Sequence, residues 1–164
     1  MNFKYVDFEK VTSHYVDYRN GIEKIEEEKN SFLETIEPIR KELNSILSSV
    51  SSGLIIDNTT QKQKAERFQE LQSEIMKKDS DFKKQLKEMH DELNLKCFDK
   101  LSELIGEWAK ESEIDVVSSK IETIYVRDEY DATNSILELL KSKELFVELS
   151  EIENQLEAVD PVTK

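Results

Sequence analysis

The feature that most constrains this chain is a stripe of apolar residues that recur at alternating steps of four and three along its first third. The stripe consists of Val11, Tyr15, Tyr18, Ile22, Ile25, Phe32, Ile36, Ile39, Leu43, Ile46 and Val50. One position of the register holds Lys29 in place of an apolar residue. This heptad spacing is typical of a helix that packs along a second helix. It predicts a coiled-coil helix that begins at Phe8, with Asp7 as its N-cap.

Two positions weaken this predicted helix. Pro38 has no backbone N–H and removes one hydrogen bond of the helix, so a local kink is expected there. Asn20 and Gly21 have low helix propensity. We therefore expect the helix to break near these two residues.

A second apolar stripe follows between residues 68 and 108. It consists of Phe68, Ile75, Phe82, Leu86, Met89, Leu93, Cys97, Leu101, Leu104 and Trp108. Gln72 and Asp79 interrupt its heptad register, and the two successive steps of four around Cys97 predict that supercoiling relaxes there. The stripe predicts a second long helix with one apolar face.

The clearest loop of the sequence lies between these helices, at residues 48–60. Gly53 and the serines around it end the first helix, and Asp57 to Thr60 supply caps for the second. Neither apolar stripe can be buried by one helix alone, and a short connection favours antiparallel neighbours. We therefore predict a coiled-coil hairpin arm over residues 13–105, with the loop at its tip.

The apolar pattern changes after the second stripe. Residues 3–8, 114–119 and 121–126 are short and rich in β-branched and aromatic side chains, so they are predicted to be three strands. The hairpin brings the chain back to its start and so brings these strands together. The expected fold class is mainly α with a small β base, in which a long antiparallel coiled-coil hairpin stands on a three-stranded β element.

Three short strands do not make a stable domain alone. We therefore predict that a split body, residues 1–12 and 106–141, forms a homo-oligomer. The residues expected in this body are Tyr5, Val6, Val116, Val117, Ile124 and Val126. Asp131 and Thr133 then precede an amphipathic helix, and a weak helical pattern continues into an acidic tail at residues 142–164.

Composition and the placement of the reactive residues argue against several classes of function. The net charge of −13, without a basic stripe, argues against a nucleic-acid partner. No segment approaches the roughly 18 consecutive apolar residues of a membrane span, so no membrane insertion is expected. His14 and His90 lack companions at metal-ligand spacing, and Cys97 has no nearby cationic cluster that would activate its thiol. We expect neither an enzyme nor a cofactor or metal.

Three motifs around the predicted hairpin occur in an order that resembles the Skp/OmpH family of periplasmic outer-membrane-protein chaperones. Tyr5-Val6-Asp7-Phe8-Glu9-Lys10-Val11 is similar to the family's strand-to-helix segment, and Glu113-Ile114-Asp115-Val116-Val117 is similar to its next strand. Ile124-Tyr125-Val126, followed by Asp131-Ala132-Thr133 and Ile136-Leu137, is similar to its closing segment. The resemblance covers residues 3–141.

This resemblance implies a homotrimer in which the strands build a central β-barrel body and the hairpins surround unfolded outer-membrane clients. It implies an ATP-independent holdase with no cofactor and no catalytic residues. The implied location is the periplasm if a signal peptide has been removed. The first residues contain no export signal, which predicts the cytoplasm if the chain as given is complete. The acidic charge departs from the family, whose members are often basic.

Candidate client contacts lie at the tip and on the outside of the arm. Leu54, Ile55 and Ile56 form an apolar triplet in the loop, which either grips clients or closes the open end of the hairpin. Apolar residues off the heptad register are Val16, Leu33, Met76 and Leu95. The alternative function is a structural or assembly coiled-coil protein, such as a phage-encoded scaffold or spacer. A prefoldin-like subunit is disfavoured because the strands flank the hairpin.

Overall fold

The computed structural model describes residues 1–53 and 57–149. Its elements are β1 (Phe3–Val6), α1 (Phe8–His14), α2 (Val16–Ser51), α3 (Asn58–Glu111), β2 (Val116–Ser119) and α4 (Thr133–Ser142), with short 3-10 helices at Lys120–Glu122 and Asp128–Tyr130. The described chain is mainly helical with a small sheet, as predicted. It divides into two compact units, which we call the sheet unit (Met1–Ile22 and the chain from Glu92) and the helix unit (Glu23–Asp91).

In the described residues the sheet has two strands, and β1 makes backbone contacts along both of its edges. β1 pairs in parallel with β2, so that Tyr5 lies opposite Ser118. On the other edge of β1, Tyr5 forms a parallel bridge with Asp131, and its carbonyl accepts a hydrogen bond from the Ala132 N–H at 2.8 Å. The first two predicted strands therefore do come together, within shorter bounds than expected.

The third predicted strand, residues 121–126, does not occur in the described part of the chain, so the three-stranded element is wrong. β2 runs directly into the 3-10 helix Lys120–Glu122, whose Ile121 N–H donates to Ser119 Oγ at 3.4 Å. This turn prevents the chain from folding back along β2. Residues 121–126 cannot pair with the other edge of β1 either, because Asp131 and Ala132, just before α4, already bond to Tyr5 there.

The break in the first long helix lies at Tyr15 rather than at Asn20 and Gly21. Asp7 caps α1 as predicted, and one of its carboxylate oxygens accepts from the Lys10 N–H at 3.0 Å. Tyr15 then adopts an extended conformation, with φ −77° and ψ 126°, and α2 runs without interruption through Gly21. Packing explains the glycine, because a Cβ atom there would lie 2.3 Å from a methyl carbon of Leu93.

The loop predicted at residues 48–60 is shorter at both ends, because α2 ends at Ser51 and α3 begins at Asn58. α2 continues to Ser51, whose hydroxyl donates back to the Leu47 carbonyl at 2.7 Å. α3 begins at Asn58 with Asp57 as its cap, which confirms that prediction. The Asp57 carboxylate accepts from the N–H groups of Thr59 and Thr60, each at 3.2 Å.

Within the helix unit, the side chains that face the second helix follow the predicted heptads, except that Val50, the last member of the first stripe, is exposed. Ile25 and Ile36 are buried, and the rings of Phe32 and Phe82 stack with centroids 4.0 Å apart. The predicted interruption at Gln72 is wrong, because α3 buries the preceding residue, Leu71, and leaves Gln72 exposed. A leucine one position earlier thus restores the apolar seam. The kink expected at Pro38 stays a prediction.

The core of the sheet unit joins α1, α3, α4 and the strands. Its buried members are Val6, Val11, Tyr15, Cys97, Leu101, Ile105, Ala132, Ile136, Leu137 and Leu140. The side-chain cap predicted for α4 is wrong, because the N-cap position is Ala132, which makes no side-chain cap hydrogen bond. Asp131 lies one residue earlier, and its Oδ1 accepts from the Thr133 N–H at 3.0 Å. The helical continuation beyond Ser142 is wrong for residues 143–149, where Glu144 has a left-handed φ of 58°. The remainder of the acidic tail lies outside the described residues.

Candidate functional site

The segment after β2 presents an unusual concentration of exposed apolar side chains. Ile121 is 68% exposed, Tyr125 is 77% exposed, and Ile124 is fully exposed. Val116 on β2 is also exposed. We call Ile121, Ile124 and Tyr125 the apolar edge. Exposed apolar residues that cluster in this way mark interaction surfaces in soluble proteins.

A cleft of about 470 Å³ lies beside the apolar edge, inside the sheet unit. It is lined by Asp7, Phe8, Glu9, Ser119, Lys120, Ile121, Thr123, Ile124, Tyr125 and Val126. The start of α1 thus forms one wall and the segment after β2 forms the other. The apolar side chains of this cleft are open to solvent in the single chain, so a partner can reach them.

A polar network holds the start of the apolar edge against the sheet. Lys120 Nζ pairs with the Asp131 carboxylate, which also accepts from the Thr133 hydroxyl at 2.5 Å. The Thr133 hydroxyl in turn accepts from the Asp7 N–H at 2.9 Å. These bonds connect the segment after β2 to the starts of α1 and α4, and so position the two walls of the cleft.

Asp131 is the charged centre of this network. Burial by itself raises the pKa of its carboxyl, but the hydrogen bonds from Lys120 and Thr133 outweigh burial and lower the pKa from 3.8 to about 2. The pKa of Lys120 is raised, chiefly by the same hydrogen bond. The pair therefore stays ionised at neutral pH and acts as a structural anchor.

The predicted body residues fall into two groups. Val6 is buried in the core of one chain, and Tyr5 and Val117 are half-buried. Val116 and Ile124 are exposed, while Val126 is half-buried in the cleft wall. The apolar edge also includes Ile121 and Tyr125, which lie within the predicted body at residues 106–141 but were not among its named residues. Their position in the same apolar run as Ile124 was the available signal.

The candidate client contacts are distributed over both units. Met76 is 73% exposed in the helix unit, where Leu33 is also exposed, and Leu95 is exposed in the sheet unit. Val16 instead packs against the core of the sheet unit. The triplet of Leu54, Ile55 and Ile56 lies outside the described residues.

Cys97 is buried and His14 contacts a backbone carbonyl, so both side chains have a structural role. Cys97 is buried, as predicted, and burial, followed by the nearby charge of Asp17, raises the pKa of its thiol. His14 Nδ1 lies 2.9 Å from the carbonyl oxygen of Val147. In residues 1–53 and 57–149 no group of three or more His, Cys, Asp or Glu side chains is arranged to hold a metal ion. No helix in those ranges combines the length and hydropathy needed to cross a membrane.

Comparison with known proteins shows to which family this chain is related. No curated protein matches the chain. The family model described as outer membrane protein (OmpH-like) matches residues 2–140, a range that includes both strands, α1 to α3, the apolar edge and most of α4. The resemblance inferred from the sequence motifs is therefore confirmed. The chain belongs to the OmpH-like family.

Proposed function

We propose that this protein is an ATP-independent holdase that forms a homotrimer and encloses unfolded outer-membrane-type proteins between helical arms. The OmpH-like family is a chaperone family whose members bind unfolded outer membrane proteins. The observation that carries the proposal for this chain is the apolar edge, because the described residues of a single copy leave it exposed beside a sheet in which they supply two strands.

Assembly of several copies would cover the apolar edge. Burial of an apolar side chain contributes roughly 1.5–3 kcal/mol when it is complete. Ile121, Ile124 and Tyr125 start from high exposure, so each has most of that free energy still to gain. The outer edge of β2 also has no strand partner among the described residues. Open edges pair readily with another chain. One contact between copies would therefore both bury the apolar edge and pair the outer edge of β2.

The helices supply the surface for clients in this proposal. In the helix unit, Arg67 on α3 pairs with Glu42 on α2 at 2.8 Å, and Lys64 Nζ donates to Ser49 Oγ at 2.9 Å. Residues that lie later in α2 therefore meet residues that lie earlier in α3, which supports an antiparallel arm. Exposed apolar side chains such as Met76 on the outside of such an arm would hold a client by many weak contacts, so that avidity replaces affinity at any one point.

The first test is the mass of the assembly. Light scattering should give three copies for the native chain, and Ile124→Asp should dissociate them because the charge would be buried without a partner. Leu47→Asp is the matched control, since it places the same charge on an exposed apolar position of the helix unit. A native monomer would contradict the proposed assembly. So would an Ile124→Asp variant that keeps the native mass.

The second test is protection of a client. An outer-membrane β-barrel protein diluted from urea should aggregate less in the presence of the native chain, without added ATP. Unchanged aggregation would remove the holdase proposal.

A tip variant separates the two interpretations of the loop triplet. Replacement of Leu54, Ile55 and Ile56 by Ser should weaken client protection and leave the melting temperature unchanged if the triplet grips clients. A clear fall in melting temperature with full protection would show that the triplet instead closes the end of the hairpin.

A further inference from the structure

The helix break at Tyr15 is unexpected, because the apolar register continues across it. Val11, Tyr15 and Tyr18 keep steps of four and three, which is the spacing of an unbroken helix. Nevertheless α1 ends at His14, and Tyr15 is extended. Neither proline nor glycine occupies the break. A contact from elsewhere in the chain must therefore stabilise it.

The backbone hydrogen bonds identify that contact. In an unbroken helix the Val16 N–H would donate to the Thr12 carbonyl, but this carbonyl accepts from the Tyr15 N–H at 3.0 Å. The Val16 N–H donates instead to the Leu145 carbonyl at 2.9 Å, and the Val147 N–H donates to the His14 carbonyl at 2.8 Å. Two backbone groups that the break would leave without helical partners are thus both satisfied by residues 145–147.

Side chains strengthen the same contact. The ring of Phe146 stacks on the ring of His14, with centroids 4.7 Å apart and planes 8° from parallel. Lys141 Nζ, at the end of α4, lies 4.8 Å from the centroid of the Phe146 ring. His14 Nδ1 is 2.9 Å from the Val147 carbonyl, so that nitrogen carries the proton and donates. Backbone and side chains of residues 145–147 therefore hold the same point of the chain.

The end of α4 directs these residues to the break. Glu144 takes the left-handed conformation, with φ 58°, and the Leu145 N–H donates back to the Leu140 carbonyl at 2.8 Å. This is a Schellman ending, which turns the chain sharply at the end of a helix. Leu140 is fully buried and Leu145 packs against the core, so the turn is anchored on both sides.

We propose that residues 145–147 act as a clasp that keeps α1 and α2 separate, and that release of the clasp joins them into one helix through Tyr15. The clasp lies beyond residues 2–140, the part that the family model matches. The continuous apolar register supplies the second state, since residues 8–51 carry the pattern of a single helix. The start of α2 thus has two states, broken at Tyr15 or continuous with α1. A ligand that binds residues 145–147 away from Tyr15 would shift the equilibrium toward the continuous helix.

Nuclear magnetic resonance on the full chain tests the clasp. Phe146→Ala removes the ring stacked on His14 and should speed hydrogen exchange of the Val147 N–H about tenfold, given the usual strength of an aromatic pair. The Cα chemical shift of Tyr15 should move from the extended toward the helical range. Glu148→Ala, an exposed neighbour of the clasp, is the control and should change neither signal.

Two outcomes would overturn the proposal. Faster exchange at Val147 with an unmoved Tyr15 signal would mean that the clasp does not maintain the break. No change in either signal would mean that the contact is too weak to act as a clasp. If Phe146→Ala unfolds the chain, the same two signals are read in Phe146→Leu, which keeps an apolar side chain and loses the two ring contacts, with His14 and with Lys141. An unmoved Tyr15 signal in that variant would also overturn the proposal.

Discussion

Gly21→Ala tests how closely α2 and α3 approach in the sheet unit. The added Cβ atom would lie 2.3 Å and 2.7 Å from the two methyl carbons of Leu93. Carbon atoms that pack well are about 3.5–4.0 Å apart, so the overlap exceeds 1 Å unless Leu93 moves. Gly106→Ala in α3 provides a matched control, because a Cβ atom there meets nothing within 4 Å.

The two substitutions share one contribution to stability and differ in another. Both replace glycine by alanine inside a helix, which stabilises the folded state by about 1 kcal/mol. Only Gly21→Ala adds the cost of overpacking, about 1–3 kcal/mol. Gly106→Ala should therefore raise the free energy of unfolding by about 1 kcal/mol, and Gly21→Ala should give a value about 1–3 kcal/mol lower than that of Gly106→Ala.

Urea unfolding at one protein concentration measures this difference, since self-association makes stability depend on concentration. Leu93→Ala should remove the overlap, so Gly21→Ala should be less harmful in that background than in the native chain. Equal stabilisation by Gly21→Ala and Gly106→Ala would refute the reasoning. It would show that Leu93 moves aside at no cost and that glycine is not required at this helix contact.

Two further predictions concern backbone strain and pH. Glu144→Gly should raise the free energy of unfolding by about 1 kcal/mol, because a left-handed φ of 58° disfavours any residue with a Cβ atom; an unchanged or lower melting temperature would contradict this. The pKa of Asp131 is lowered from 3.8 to about 2 in the folded state, so its contribution to stability is complete at about pH 5 and above and is lost as the pH falls through about 2. Asp131→Asn should flatten the dependence of stability on pH in that window, and a parallel pH profile would exclude this role.

Local signals in the sequence were sufficient for the helices and for two of the caps. Asp7 and Asp57 each cap the helix that they precede, because a cap depends on residues only two or three positions away. The heptad spacing likewise identified Ile25 and Ile36 as buried. The heptad step from Phe68 places Gln72 at the seam, whereas the folded helix buries Leu71, one residue earlier.

Features that depend on distant parts of the chain were not predictable in this way. The break at Tyr15 requires residues 145–147, which lie about 130 positions later. The apolar run at 121–126 has the alternation of a strand, yet whether such a run pairs depends on a free neighbouring edge. The same alternation also fits an exposed segment that pairs only with another chain. The exposure of Ile124 was for that reason not visible in the pattern itself.

The parallel pairing of β1 with β2 imposes an order on folding. Phe3 pairs with Val116, so the first strand stays without its partner until residues 116–119 have left the ribosome. Contacts between residues far apart in sequence form slowly, because a long loop must close first. The helix unit spans Glu23–Asp91 without a gap and is available earlier during synthesis. The helix unit should therefore form before the sheet closes.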